Sequence, residues 1–204
     1  MRIYYSTDFA SNRKASEELL LDVLKCEGLL VTREDIARSE SGKPYLKCAN
    51  LNFSISHSEN IWMCACSDVK LGIDFQFYKE LDFDRLAARF FTQDEYGFLL
   101  SETPARKEEL FFEIWAKKEA AAKLFETGIF KYGLSKIETV NMKNGKYVEA
   151  EEIVISVRGL WINQSELRFV KERLKNTVLH DKFALSICLA EKRTVEGIIE
   201  IGNR

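Results

Sequence analysis

The sequence predicts an α+β fold, because its helical and strand-like patterns fall in separate runs and do not alternate as βαβ units. Two segments carry apolar residues at helical spacing, from about Asn12 to Lys25 and from about Arg106 to Phe125, and each is followed by several strand-like runs. The 204 residues are 46% hydrophobic and 12% aromatic, with only two prolines and ten glycines. That composition suits one large domain, or two small ones sharing a core, and leaves little material for structureless linkers.

The elements follow in chain order. Leu19, Leu20, Val23 and Leu24 define the apolar face of the first helix, and Gly28 is its expected stop. Thr32 and Asp35 form a short capping pair, after which SESGKPYL breaks regular structure with Gly42 and Pro44 and leaves Lys43 on a loop. Three strands come next. NFSISHS alternates Phe53 and Ile55 with Ser54 and Ser56, and His57 precedes a turn over Ser58 to Asn60. IWMCACS is almost continuously apolar, as in a central strand, and in KLGIDFQFY Asp74 and Gln76 share the face opposite Ile73 and Phe75. FDRLAARFFTQDEYGFLL reads as two short helices broken near Thr92, SETPARKEE as the boundary between halves, and the long helix as ending near Gly128. GLSKIETV, YVEAEEIVISV, SELRFVKERL and KFALSICLAEK then read as strands.

Charge and motif content exclude several function classes. The formal charge of −2, from 30 basic and 32 acidic residues, gives no whole-molecule attraction to nucleic acid or anionic lipid. No apolar run is long enough for a membrane span and no leader pattern opens the chain, so a cytoplasmic protein without membrane or nucleic-acid partners is expected. The five irregularly spaced cysteines fit reduced thiols, and Cys64 and Cys66 read as small core hydrophobes. Sequence signatures of dinucleotide-binding, P-loop, zincin and α/β-hydrolase folds are all missing. His180, among charged residues, reads as a solvated loop position.

Three polar residues call for an explanation. In FEIWAKKEAAAK, Glu119 continues the stripe of Phe111, Ile114 and Trp115, either to form an i,i+4 salt bridge with Lys123 or to serve a site. Asp74, flanked by Ile73 and Phe75 on a strand, needs a turn contact, an ion pair or a metal. His57 ends its strand either as a satisfied structural histidine or as a functional one.

The ordered set of SGKPYL, FSISHS, GIDFQF, RFFTQDE and WAKKEAAAK resembles the phosphopantetheinyl transferases of the surfactin type, in their WxxKEA form. The matching residues are Lys43, Ser56, His57, Asp74, Glu95, Trp115, Lys118, Glu119 and Lys123. The resemblance implies transfer of 4′-phosphopantetheine from coenzyme A to a serine of an apo carrier protein, acyl or peptidyl, with release of 3′,5′-ADP. It implies a pseudo-dimeric monomer of two similar α+β halves, residues 1–101 and 102–204, each a helix on a small, mostly antiparallel sheet. The active site would lie in the cleft between them. Asp74, Glu119 and Gln76 would hold Mg²⁺, or Mn²⁺ in its place, while Glu119 and Lys123 would be catalytic. Lys43, Ser56, His57, Lys118 and Lys123 would contact the substrate.

Gln76 departs from the pattern, because the family commonly carries a second carboxylate at that position. This substitution supports an alternative reading, a weak or inactive homologue that binds coenzyme A or carrier protein. Contacts to the carrier are expected along RFFTQDEYGFLL, with Phe98 and Leu99 as the residues to test.

Overall fold

A computed structural model describes residues 1–126, 133–143, 146–149, 152–155, 158–162, 168, 170–172, 174–175 and 182–202. The expectations for Gly128 and His180 fall outside the described residues. Strand β1 (Arg2–Ser6) precedes helix α1 (Arg13–Cys26), and the hairpin β2 (Ile36–Arg38) and β3 (Pro44–Leu46) follows a 3-10 turn at Arg33–Asp35. Three seven-residue strands come next, β4 (Asn52–Ser58), β5 (Ile61–Ser67) and β6 (Leu71–Phe77). Helices α2 (Phe83–Phe90), α3 (Gln93–Ser101) and α4 (Pro104–Phe125) lead to β7 (Val140–Lys143), β8 (Lys146–Glu149), β9 (Glu152–Ile155), β10 (Arg158–Ile162), β11 (Phe183–Leu189) and β12 (Gly197–Glu200).

Local chemistry sets the helix ends. Asn12 caps α1 by accepting from the Ala15 amide at 2.9 Å, and Gly28 takes φ 80° beyond its end, a conformation that favours glycine. Thr92 and Glu95 form a reciprocal capping box at the start of α3, which explains the break expected there. Two expectations are corrected. GLSKIETV is not extended throughout, because Leu134–Lys136 form a 3-10 turn and β7 begins only at Val140. Within SELRFVKERL, the described residues Arg168, Val170, Lys171, Glu172 and Leu174 are helical rather than extended. Val170 and Leu174, four residues apart, are buried in the core, so the apolar pattern served a helical face.

The strands form two four-stranded sheets, in the orders β12-β1-β5-β4 and β6-β11-β10-β9, with β2-β3 and β7-β8 as separate pairs. Strand β5 is buried at all seven positions between β1 and β4, as its continuous apolar run required. Helix α1 covers one face of the first sheet with Leu20, Val23 and Leu24, and Cys64 and Cys66 pack there as core residues. The opposite face of that sheet, through Ile3, Ile61 and Met63, joins a core with β6, β11 and the alanines of α4. Among the described residues, no helix is long and apolar enough to cross a membrane.

The sheets meet along a seam that decides where the polar residues go. Ser54, Ser56 and Ser58 of β4 are buried, and their hydroxyls accept from the β6 amides of Ile73 at 3.2 Å, Phe75 at 3.0 Å and Phe77 at 3.1 Å. The other edge of β6 is paired with β11 along its length, from Phe77↔Phe183 to Leu71↔Leu189. Three serine side chains therefore satisfy backbone donors that a neighbouring strand would otherwise meet, so burying this edge leaves those amides bonded.

Candidate functional site

The site is assembled where α4 crosses β6, and Gly72 permits that crossing. A methyl group at Gly72 would lie 1.9 Å from the Ala120 carbonyl oxygen and 2.7 Å from the Leu124 amide nitrogen, so only a bare α-carbon fits beneath the helix. On the helix side the contact is equally small, because Ala120, Ala121 and Ala122 are all buried. Asp74 shares the Gly72 face of the strand, and the crossing sets it against Glu119 and Lys123, which lie one helical turn apart.

Three side chains from three elements converge there. The Lys123 ammonium donates to Asp74 Oδ1 at 2.8 Å, to Ser56 Oγ at 3.0 Å and to the Ile73 carbonyl at 3.0 Å. Ser56 donates its proton to Asp74 Oδ1 at 3.0 Å while accepting from Lys123 and from the Phe75 amide, which uses its whole hydrogen-bonding capacity. Asp74 Oδ1 is thus doubly bonded, whereas Asp74 Oδ2 is buried without a hydrogen-bond partner among the described residues. Glu119 is only 8% exposed. Its carboxyl is pushed up to about 7, chiefly by burial and then by the Asp74 charge, with Lys123 opposing. Lys123 ion-pairs with Asp74, and of the two readings of Glu119 the i,i+4 bridge to Lys123 is not formed.

Other basic groups border the cluster. The Lys43 ammonium reaches the Leu71 carbonyl at 3.0 Å, and its pKa is lowered to about 8, first by burial and then by the like charges of Lys70 and Lys123, against Glu126. His57 lies on the face of β4 opposite Ser56, exposed and 5.0 Å from the Phe9 ring. Partial desolvation of the ring against its neighbours, then the Lys123 charge, lower its pKa, and Asp74 opposes them. Gln76, half-buried on the Asp74 face, donates its amide to the Phe77 carbonyl at 3.2 Å.

Two expected contacts are placed elsewhere. Lys118 is fully buried and ion-pairs with Glu95 at 2.6 Å, while donating to the carbonyls of Leu134 at 2.7 Å and Ile137 at 2.5 Å, so all three protons are committed to the core. Glu95 Oε1 in turn accepts from the amide and hydroxyl of Thr139, which pins α3, α4 and the segment before β7 together. Lys118 is therefore not positioned to contact a substrate. Removing either charge leaves the other buried and unpaired, so Lys118→Met and Glu95→Gln should each lower unfolding free energy by about 3–5 kcal/mol in urea titrations. Leu99 is fully buried and Phe98 packs into the same aromatic cluster as Phe111 and Phe112, so the carrier contact expected of Leu99 is sterically closed. The neighbouring Leu100, 50% exposed, is the apolar residue of that helix facing solvent.

The donor set fits a hard divalent cation. Asp74 Oδ2 is an unsatisfied buried carboxylate oxygen, and Glu119 is a second carboxylate whose charge is disfavoured until a cation offsets it. Among the described residues no group of three or more His, Cys, Asp or Glu could hold a metal. Two carboxylates, with the remaining positions left to water and phosphate oxygens, is a pattern that suits Mg²⁺ better than zinc. The adjoining Lys43 and Lys123 supply positive charge for an anionic ligand.

A sequence model of the 4′-phosphopantetheinyl transferase superfamily matches residues 70–188, more than half of the chain. A 4′-phosphopantetheinyl transferase of Bacillus pumilus is 42% identical over 96 residues, covering 47% of this chain and 40% of the relative. One of Aneurinibacillus migulanus is 33% identical over 115 residues, covering 55% and 48%. The matched region thus spans about half or less of those relatives. The holo-[acyl-carrier-protein] synthase of Thermotoga maritima overlays on 61% of this chain and 64% of its own, with a TM-score of 0.40 and 22% identity.

Proposed function

The chain belongs to the 4′-phosphopantetheinyl transferase superfamily, and from that premise we propose that it moves 4′-phosphopantetheine from coenzyme A to a serine of an apo acyl or peptidyl carrier protein, releasing 3′,5′-ADP. The observation that carries this reading is the convergence of Asp74, Glu119 and Lys123 at one crossing, with Asp74 Oδ2 unsatisfied and Glu119 raised to about 7. Displacement at a pyrophosphate phosphorus needs neutralised phosphate charge, a deprotonated hydroxyl nucleophile and in-line positioning. Bound by Asp74 and Glu119, Mg²⁺ would neutralise charge on the pyrophosphate.

The residues of the chain supply the rest. Lys123 exchanges its bonds to Asp74 and Ser56 for a phosphate oxygen, which frees Ser56 Oγ for the same ligand. Lys43 and His57 hold phosphate groups of coenzyme A at the margin of the site. Glu119 accepts the proton from the incoming carrier serine, and a carboxylate titrating near neutrality suits that role. Gln76 offers a neutral carbonyl oxygen where a carboxylate would bind the cation more strongly. Gln76→Glu should therefore lower the half-saturating Mg²⁺ concentration, read from initial rates, and an unchanged midpoint would show that Gln76 does not face the cation.

The reading extends to architecture. Residues 1–101 and 102–204 form pseudo-twofold halves of a cytoplasmic monomer, each a helix on a four-stranded sheet. In support, α1 covers the sheet containing β1 and α4 the sheet containing β11, with β6 and β12 each contributed across the boundary. Gln76 also favours a second reading, a homologue that binds coenzyme A without turnover. The test is incubation with Mg²⁺, coenzyme A and a panel of apo carrier proteins, read by intact mass. Addition of phosphopantetheine to at least one carrier is expected. Tight coenzyme A binding with no carrier modified would favour the second reading.

A further inference from the structure

Among the described residues, only two buried side-chain polar atoms lack a hydrogen-bond partner, and they are neighbours. One is Asp74 Oδ2 and the other is Ser186 Oγ. In the β6-β11 ladder Asp74 and Ser186 are directly paired. Directly opposed residues of an antiparallel ladder point to the same face, with β-carbons about 4.5–5.5 Å apart. That face is the one closed by α4, since Gly72, two residues before Asp74, sits against Ala120 and Leu124. Ser186 is 1% exposed, so its hydroxyl is withdrawn from bulk water as completely as a core side chain. The flanking positions on its face of β11, Ala184 and Cys188, carry no comparable polar group. Among the described residues, an unpartnered serine hydroxyl thus lies across the ladder from the orphaned carboxylate oxygen.

A buried hydroxyl left unsatisfied is costly, and alanine would fill the same space without that cost. Resting on the cation reading above, we propose that Ser186 is a positioning residue of the cation site. Its hydroxyl holds a water of the shell around the cation bound at Asp74 Oδ2, and so fixes the angle at which that carboxylate oxygen is presented. Mg²⁺ and Mn²⁺ retain several waters when only two carboxylates bind them, so such a water is available on the Ser186 side. Hydrogen bonds to outer groups of this kind tune metal affinity without touching the metal.

The test is Mn²⁺ alone, titrated into the full chain and followed by the paramagnetic resonance of free Mn²⁺, with thermal melting of each variant without metal. Ser186→Ala should melt no lower than the wild type without metal, because no bond is lost, yet bind Mn²⁺ about tenfold more weakly. Ser186→Cys, nearly isosteric and a weaker donor, should shift affinity in the same direction. Unchanged Mn²⁺ affinity in both variants would overturn the proposal, as would a melting temperature several degrees lower without metal. Asp74→Ala run in parallel separates the layers of the argument. If Asp74→Ala weakens Mn²⁺ and Ser186→Ala does not, only this inference fails. If neither does, the cation reading fails with it.

Discussion

Glu119→Gln should reduce carrier modification by at least about 10³-fold while leaving coenzyme A binding within a few-fold of wild type. The substitution keeps the shape of the side chain but removes both the proton acceptor and one of the two carboxylate charges. Its effect on the fold should run the other way. The Glu119 carboxyl is raised from its ordinary value to about 7 by burial and by Asp74, so the native metal-free protein binds a proton there that the unfolded chain has lost. Glu119 therefore costs stability progressively as pH rises from the ordinary carboxylate pKa to about 7, reaching a plateau on the order of 3 kcal/mol above that, and nothing below the ordinary carboxylate pKa. Urea unfolding of the metal-free protein should show Glu119→Gln more stable than wild type at pH 8 and equal to it near pH 4.5. Near-normal turnover in the variant would remove Glu119 as the base, and equal stability at both pH values would show that the carboxylate is better solvated than its burial indicates.

Gly72→Ala should be the most damaging small substitution at the crossing. A β-carbon 1.9 Å from a backbone oxygen cannot be relieved by turning a side chain, because the obstacle is the helix itself. Either α4 or β6 must move, at a cost of about 3 kcal/mol or more. Such a shift would also part Glu119 and Lys123 from Asp74, so chemistry and stability should fall together. Measured by urea unfolding and by initial rate on the same preparation, the variant should lose both. Retention of either at wild-type level would mean that strand and helix are not in direct backbone contact.

These residues also show what the sequence made legible. The helices α1 and α4 and the strands β4, β5 and β6 were readable because each pattern has one dominant period over enough residues. Glu119 was singled out because a charge on an apolar stripe needs a partner, Asp74 because an acidic residue is disfavoured in a strand, and Lys123 through the family resemblance, and the structure brings those three together. The serines of β4 were harder, since an alternating polar face looks the same whether water or a strand edge covers it. Only tertiary pairing shows that they bond to the amides of Ile73, Phe75 and Phe77. Lys118 was misplaced for a related reason. Its motif position beside Glu119 pointed to the site, but on a helix adjacent residues lie about 100° apart, and this one turns into the core toward Glu95. The pairing of Ser186 with Asp74 is invisible in sequence, because the two are brought together by register rather than by local spacing.

The central claim is that Asp74 and Glu119 hold a divalent cation against the pyrophosphate of coenzyme A. Phosphorus resonance of coenzyme A, with substoichiometric Mn²⁺ and the protein in excess, measures this directly, because a bound paramagnetic ion broadens nearby phosphorus nuclei. The account predicts that the wild type broadens the pyrophosphate signals more strongly than the 3′-phosphate signal, and that Asp74→Ala abolishes this preference while coenzyme A stays bound. Equal broadening of all three phosphorus signals by the wild type, or an undiminished preference in Asp74→Ala, would contradict it.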